Sequence, residues 1–325
     1  MKVLSLFDGI SAARQALKEL NIDCEYYASE IDKFAIQVAK ANHPDIIHIG
    51  DVKNLFKYHH FNDGRYSQFY NMKRGDINLL IGGSPCQDLS IAKKDRKGLE
   101  GNRSSLFYEY LRILNEVKPK YFILENVASM SKESKEIITK ELFGIEPKLI
   151  NSSLLTAQNR KRYYWVGKLV DGKYQKVKIE QPEDEKIYLK DIIEDGIAYQ
   201  EKSHSLTASY YGAVFWNSII KKQKTMIPIR LGHFNKGGQG DRIYSVKGKS
   251  VCLSANGGGR GAKTGLYKID LPDGDYIVRK LTPTECCRLQ GFPDNYVSMV
   301  SNTQGYKGLG NSFTVPVIKH IINNL

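Results

Sequence analysis

The chain has 325 residues, enough for about two domains or one large domain with an insertion, and 41% of them are hydrophobic, as in ordinary globular proteins. No apolar stretch approaches the ~20 residues that span a membrane. Val3–Phe7 runs into Asp8 before a signal-peptide core can develop. Five cysteines with no Cys-x-x-Cys pair argue against a disulfide framework or structural zinc, so no metal is expected and the setting reads as intracellular, in the cytoplasm.

The predicted elements alternate through the first half. Val3–Phe7 reads as a strand, followed by a helix from about Ser11 to Leu20. Glu25–Ser29 is a second strand with a helix near Ile31–Asn42, Ile46–Ile49 a third, and Leu79–Ile81 a fourth. A helix over Ser105–Val117 leads to the strand Tyr121–Glu125, and a helix over Lys132–Leu142 precedes the run Tyr163–Val166. Strands alternating with helices of this length imply βαβ units, hence a doubly wound, mostly parallel α/β sheet.

The pattern changes after Pro182. The formal net charge is +13, of which +11 falls between Lys202 and Lys268, where twelve Lys or Arg accompany a single acid, Asp241. Eleven of the 28 glycines lie there too, so the segment reads as short strands joined by long glycine loops. Charge concentrated this way suits a polyanion, and nucleic acid outweighs a plain solvated surface or an anionic lipid. Order returns at Leu281–Leu289, where Thr282 is a helix N-cap, Pro283 the first helical residue and Glu285 the partner of a capping box. Gly308–Ser312 is a glycine-rich segment before a final apolar run.

The chemistry gathers at strand ends. Ile77–Ile81 feeds into Gly82-Gly83-Ser84-Pro85-Cys86-Gln87, which puts a thiol at the C-terminal edge of the sheet, where open α/β folds bind ligands. A lone cysteine is most often a small buried hydrophobe; the neighbours of Cys86 reverse that reading. Asp8 and Gly9 follow the first strand, Glu30 the second and Asp51 the third. Each acid alone is a cap or a surface charge, but three polar groups at successive strand ends suit one ligand bearing an adenosine. The dinucleotide fingerprint Gly-x-Gly-x-x-Gly is absent, which disfavours a nicotinamide-dependent oxidoreductase. Glu125 ends an apolar strand, where burial equips a carboxyl to donate a proton. Arg160 and Arg162 alternate on an extended segment and should point together toward phosphate or a base carbonyl, against the bland reading of a solvated face.

Taken in order, these residues resemble the DNA (cytosine-5) methyltransferase family over nearly the whole chain. Phe7-Asp8-Gly9 is similar to its S-adenosylmethionine motif, Pro85-Cys86-Gln87 to the nucleophile motif and Glu125-Asn126-Val127 to the acid motif. Gln158, Arg160 and Arg162 match Gln-x-Arg-x-Arg; Arg279–Pro283 with Gln290–Pro293, and then Gly310-Asn311-Ser312, match the last two motifs. The resemblance implies a catalytic set of Cys86, Glu125, Arg160 and Arg162. It implies a cofactor set of Phe7, Asp8, Gly9, Glu30, Ile31, Asp51, Val52, Pro85, Leu106, Asn311 and Ser312. It also implies a Rossmann-like S-adenosylmethionine-binding domain over 1–185 with 304–325, and a target-recognition domain with hinge over 186–303. Departures are Ser11 at the second glycine of the first motif, Asp88-Leu89-Ser90, closer to the animal de novo enzymes than to many bacterial ones, and Pro316, which should interrupt an otherwise continuous helix.

Carbon 5 of cytosine is a weak nucleophile, and addition of the Cys86 thiolate to carbon 6 would activate it. The base must leave the stack, at a cost of a few kcal/mol. Expected DNA contacts are Gln87, Ser90, Lys93, Lys94, Arg96 and Arg103 around the flipped base, and Arg230, Arg242 and Arg260 in the basic insert. The partner implied is duplex DNA, and a monomer suits enclosure of one base. A tRNA cytosine methyltransferase shares the motifs, but the long basic insert and the lack of Cys-Phe-Thr weigh against it. Intact Cys86, Glu125 and Arg162 weigh against a catalytically silent DNA-binding relative.

Overall fold

The computed structural model describes residues 1–56, 75–84, 105–196, 198, 200–214, 221–230, 243–245, 266–271 and 274–325. Pro85, Cys86, Gln87, Ser90, Lys93, Lys94, Arg96, Arg103, Arg242 and Arg260 lie outside the described residues, and Arg230 is described in its backbone only.

Eight strands form the main sheet: β1 (Lys2–Leu6), β2 (Glu25–Ser29), β3 (Ile47–His48), β4 (Leu79–Gly83), β5 (Tyr121–Val127), β6 (Lys148–Asn151), β7 (Lys161–Val170) and β8 (Lys173–Lys176). Their order is β3-β2-β1-β4-β5-β7-β6, with β8 also on β7. The first five are parallel, whereas β7 runs antiparallel to β5 and carries β6 and β8 antiparallel in turn. The chain winds outward from β1 to β3 and then returns to β4 beside β1. That reversal creates the crevice at the strand C-termini where such sheets bind ligands.

Both faces of the sheet are covered, so its strands are apolar at successive positions rather than at alternate ones. Val3, Leu79, Ile81, Ile123, Tyr164 and Val166 face one core with Ala12–Leu17 and Val315–Ile322. Leu4, Leu6, Leu80, Phe122, Leu124 and Trp165 face the other with Phe107–Val117 and Ile138. The helices Ala12–Glu19, Lys33–Asn42, Ser105–Val117 and Lys132–Glu141 match their expected spans to within two residues.

Strands β6 and β8 escaped the sequence reading. Each has four residues, and β8 (Lys-Tyr-Gln-Lys) is mostly exposed with no apolar alternation to mark it. The segment Asn302–Asn311 is a helix despite three glycines. Tertiary packing overrides propensity there. A Cβ at Gly308 would lie 2.8 Å from Ile10 Cγ2, and one at Gly310 2.3 Å from Ala208 N, so the helix uses the missing side chains to approach its neighbours. It breaks at Ser312, and the next helix, Val315–Ile322, carries Pro316 in its first turn, so the chain is not one continuous helix there, as expected from the proline.

The basic region contributes a second sheet of β9 (Met226–Arg230), β10 (Ile243–Ser245), β11 (Leu266–Leu271) and β12 (Gly274–Lys280), ordered β10-β11-β12-β9. Its base is continuous with the main core: Leu206, Tyr210, Met226, Ile227, Leu281, Cys286 and Cys287 belong to the cluster that contains Val3 and Ile10. The helix Pro283–Gln290 has the expected capping box of Thr282 and Glu285. Glu285, fully buried, also receives the Arg279 guanidinium and the Glu194 N–H, so its charge is matched.

Candidate active site

The loop after β1 is tightly wound, with positive φ at Phe7 (57°), Gly9 (59°) and Ser11 (64°). Only glycine adopts such angles freely. Open space lies beside Gly9, where an added Cβ would meet no heavy atom within 4 Å. Glu30 at the end of β2 faces this loop. Its Oε2 accepts the Gly9 N–H at 2.8 Å, and its Oε1 accepts the N–H groups of Ile31 and Asp32 at 2.7 and 2.8 Å. Ile31 beside it is 72% exposed, an apolar side chain left uncovered at the mouth of the crevice. Asp51 caps the turn Val52–Asn54 through the Lys53 N–H, and Val52 is buried. Phe7 and Leu106 are partly buried against the same apolar cluster.

Asp8 behaves differently from its neighbours. It is buried, turned inward to hydroxyls of Ser11 and Tyr26. Burial pushes its carboxyl above the usual carboxylate range, against the hydrogen bonds from Ser11 and Tyr26. Asn311 is exposed at the end of its helix, while the Ser312 hydroxyl is used internally on the Leu309 carbonyl.

A second cluster forms where β4 ends beside Glu125, which does not end its strand as expected, since β5 runs two residues further to Val127. Gly83 is the parallel neighbour of Glu125. A Cβ on Gly83 would lie 2.8 Å from the Phe313 ring and 2.9 Å from Glu125 Oε2, so only glycine leaves room for that carboxylate. Ser84 is buried and accepts a hydrogen bond from Asn126 Nδ2 at 3.2 Å, tying the segment that leads to Cys86 to the segment carrying Glu125. On the other side, Arg162 of β7 meets the same carboxylate, with Nε 2.8 Å from Glu125 Oε1. Their side chains are 16% and 12% exposed, which leaves the pair open to solvent at one edge.

Arg160 goes elsewhere. Its guanidinium donates to the carbonyls of Leu206, Gly310 and Ser312 at 2.7, 3.1 and 2.9 Å and is 3% exposed. The two arginines thus do not point together. Lys161 opens β7, and Arg160 still belongs to the preceding turn, where its backbone N–H is held by Asn151 Oδ1. Gln158 shares the buried joint: it accepts from the Leu206 N–H and donates to the carbonyl of Leu289 and to Gln290 Oε1. Gln290 donates in turn to the Leu309 carbonyl and accepts from Thr314. Residues from three separated motifs therefore meet in one buried polar knot.

Comparison with known proteins decides the lineage. The model of the C-5 cytosine-specific DNA methylase family matches residues 1–325. The chain belongs to that family. It is 32% identical over 334 residues to the type II methyltransferase M.HhaI of Haemophilus parahaemolyticus, covering 100% of this chain and 94% of that protein. To M.HpaII of Haemophilus parainfluenzae it is 30% identical over 341 residues, covering 97% and 86%. Among solved structures, the Entamoeba histolytica methyltransferase EhMeth aligns with a TM-score of 0.58 at 18% identity, covering 100% of this chain and 97% of that one. The S. pombe Dnmt2 methyltransferase aligns at 0.55 and 21% identity, over 99% and 97%. At those identities the structural likeness supports the S-adenosylmethionine-dependent, Rossmann-like fold.

This methylase also carries supporting residues that the sequence did not reveal. Arg112 donates to the carbonyls of Val52 and Leu55 at 2.9 and 2.8 Å and to Glu109, so the helix Ser105–Val117 holds the Asp51 turn in place. An arginine on an amphipathic helix carries no sequence mark of such a task. Tyr296 donates to the Ile10 carbonyl and meets His43 Nε2 at 3.0 Å, linking the segment after the Gln-Gly-Phe-Pro motif to the loop of Gly9. Among the described residues there is no group of three or more His, Cys, Asp or Glu that could hold a metal, and no helix is long and apolar enough to cross a membrane.

Proposed function

We propose that the enzyme methylates carbon 5 of cytosine within a specific sequence of duplex DNA, through a covalent adduct of Cys86 with a flipped-out base. The observation that carries this reading is the Glu125–Arg162 ion pair seated against Gly83, three residues before the thiol. A carboxyl and a guanidinium side by side, at the end of a strand leading to a cysteine, suit the hydrogen-bonding edge of a pyrimidine.

The cofactor crevice fits a nucleoside. Open space beside Gly9, the exposed Ile31 and the carboxylate of Glu30 would take a sugar and an adenine, with Asp51, Val52, Phe7, Leu106 and the Asn311–Ser312 segment around them. S-adenosylmethionine bound there would supply the methyl group and leave as S-adenosylhomocysteine. The Cys86 thiolate adds to carbon 6 and shifts electron density to carbon 5, which then takes the methyl. Loss of the carbon 5 proton and departure of the thiolate restore the ring. Glu125 stabilises the addition by hydrogen bonding to the ring nitrogen beside the amino group. Arg162 can hold Glu125 through Nε and still offer donors to the base carbonyl, because a guanidinium has five N–H groups. Arg160 supports this arrangement from below rather than touching the base. The basic segment 186–303 serves as target-recognition domain and hinge on a catalytic domain of 1–185 with 304–325, and the enzyme acts as a monomer.

The test is transfer of labelled methyl from S-adenosylmethionine to mixed-sequence duplex DNA and, in parallel, to total tRNA. Label in DNA as 5-methylcytosine, lost in Cys86→Ala while DNA binding persists, supports the proposal. Appreciable transfer by Cys86→Ala removes the nucleophile, and label confined to tRNA replaces the substrate.

A further inference from the structure

Asp8 lies in the loop that lines the proposed cofactor crevice, yet its side chain is turned away from the open space beside Gly9. It is 6% exposed, and both of its carboxylate oxygens are taken: Tyr26 Oη donates to Oδ1 at 2.6 Å and Ser11 Oγ to Oδ2 at 2.5 Å. The two donors come from unlike settings. Tyr26 is fixed within β2 with its ring wholly buried. Ser11 belongs to the loop itself and sits at φ 64°, ψ 43°, in the left-handed region that disfavours any residue with a Cβ. Its side chain makes no cap contact with the helix that follows; it goes back to Asp8 instead.

The rest of the loop is fixed from the same point. The Asp8 N–H donates to the Ser29 carbonyl at 3.2 Å, and the next residue, Gly9, delivers its N–H to Glu30 Oε2. The loop thus supplies one of the three N–H groups on the Glu30 carboxylate, the one on Oε2, while Ile31 and Asp32 hold Oε1, and the loop hangs on a buried carboxylate held by the hydroxyls of Tyr26 and Ser11. A serine hydroxyl bonded to that carboxylate does for an L-residue what absence of a side chain does for glycine: it makes the left-handed conformation tenable.

We propose that Tyr26 and Ser11 are positioning residues for the methyl-donor site, clamping the Asp8 carboxylate so that the loop over residues 7–11 aims the Gly9 N–H at Glu30. This rests on the reading of Glu30 as an acid that holds the donor's ribose. Asp8 on this view is an anchor below the pocket rather than a ligand within it.

Calorimetric titration of the full chain with S-adenosylhomocysteine tests the clamp without relying on turnover. Tyr26→Phe and Ser11→Ala should each weaken binding by about tenfold, the scale of losing a hydrogen bond to a charged group. The double variant should lose less than the product of the two, because both act through one carboxylate. Ser11→Gly should stay within about threefold of wild type, since glycine takes the left-handed conformation unaided. Affinity for duplex DNA without cofactor should not move. Wild-type affinity in both Tyr26→Phe and Ser11→Ala overturns the clamp, as does a parallel loss of cofactor affinity, DNA affinity and melting temperature. Ser11→Gly as weak as Ser11→Ala overturns it for Ser11. Failure of the wild type to bind S-adenosylhomocysteine sinks the methyl-donor reading itself, which is a different result.

Discussion

Arg160 and Arg162 stand two residues apart in one motif, and their surroundings could hardly differ more. Arg162 faces the carboxylate of Glu125 at an edge open to solvent. Arg160 is sealed among three backbone carbonyls, with Gln158, Gln290 and Thr314 beside it. A side-chain carboxylate can trade a partner when a base arrives. Backbone carbonyls locked in a knot cannot move aside without undoing three chain segments. On the proposed reading, one motif mixes a group that meets substrate with one that holds the frame, and burial with partner type separates them where spacing does not.

Removing the group at the open edge gives the largest effect. Glu125→Gln should lower kcat by about 10²–10⁴-fold, the usual worth of a positioned acid. Its unfolding free energy, read from urea titration, should change by no more than about 1 kcal/mol, because the amide keeps an acceptor for Arg162 Nε. Turnover near the wild-type value would erase the distinction between the two clusters.

The buried joint should answer in the opposite currency of measurement. Arg160→Ala leaves three carbonyls without a charged donor, so stability should fall by about 4 kcal/mol, read from urea unfolding. Arg160→Lys should recover only part, since an ammonium lacks the planar fork that reaches several acceptors at once. If Arg160→Ala keeps its unfolding midpoint but loses methyl transfer, Arg160 serves the chemistry directly and burial is not the dividing line.

Much of the parallel half of the fold was legible because apolar strands and helices alternate there with clear caps. The span Glu25–Ser29 and the helix Ser105–Val117 match residue for residue. The antiparallel edge was not, as Lys148–Asn151 and Lys173–Lys176 are too short and too polar to carry a period. The strand ends placed Glu30 and Asp51 just beyond β2 and β3, whereas Glu125 lies two residues inside the end of β5, because the strand continues through Asn126 and Val127. What the sequence could not reveal was direction: that Asp8 turns inward to Tyr26, that Arg160 leaves the face of Arg162, and that Arg112 reaches across to the Asp51 turn. Each depends on a partner far away in the chain. The helix Asn302–Asn311 was hidden for the same reason, because its glycines answer to Ile10 and Ala208 rather than to local propensity.

A second buried joint sharpens the comparison through pH. His43 ends the helix Lys33–Asn42, is 2% exposed, and meets the Tyr296 hydroxyl, which also donates to Ile10 in the loop after β1. Burial, reinforced by the charges of Arg14 and Lys18 and only partly offset by Asp45, lowers its pKa from 6.5 to about 4. The unfolded chain therefore takes up this proton first as pH falls. The stability tied to a neutral His43 is present above about pH 6.5 and is lost progressively down to about pH 4, a total of about 3 kcal/mol. His43→Gln keeps a polar partner for Tyr296 but cannot titrate. Urea unfolding of the two proteins from pH 7.5 to 4 should then diverge on the acid side, the wild type losing the larger share. The joint at Arg160 contains no group that titrates in this range, so Arg160→Ala should shift the whole curve down without changing its acid slope. Parallel acid limbs for wild type and His43→Gln would mean that this histidine is charged at no cost in the folded protein, and that the contact to Ile10 does not depend on its neutral form.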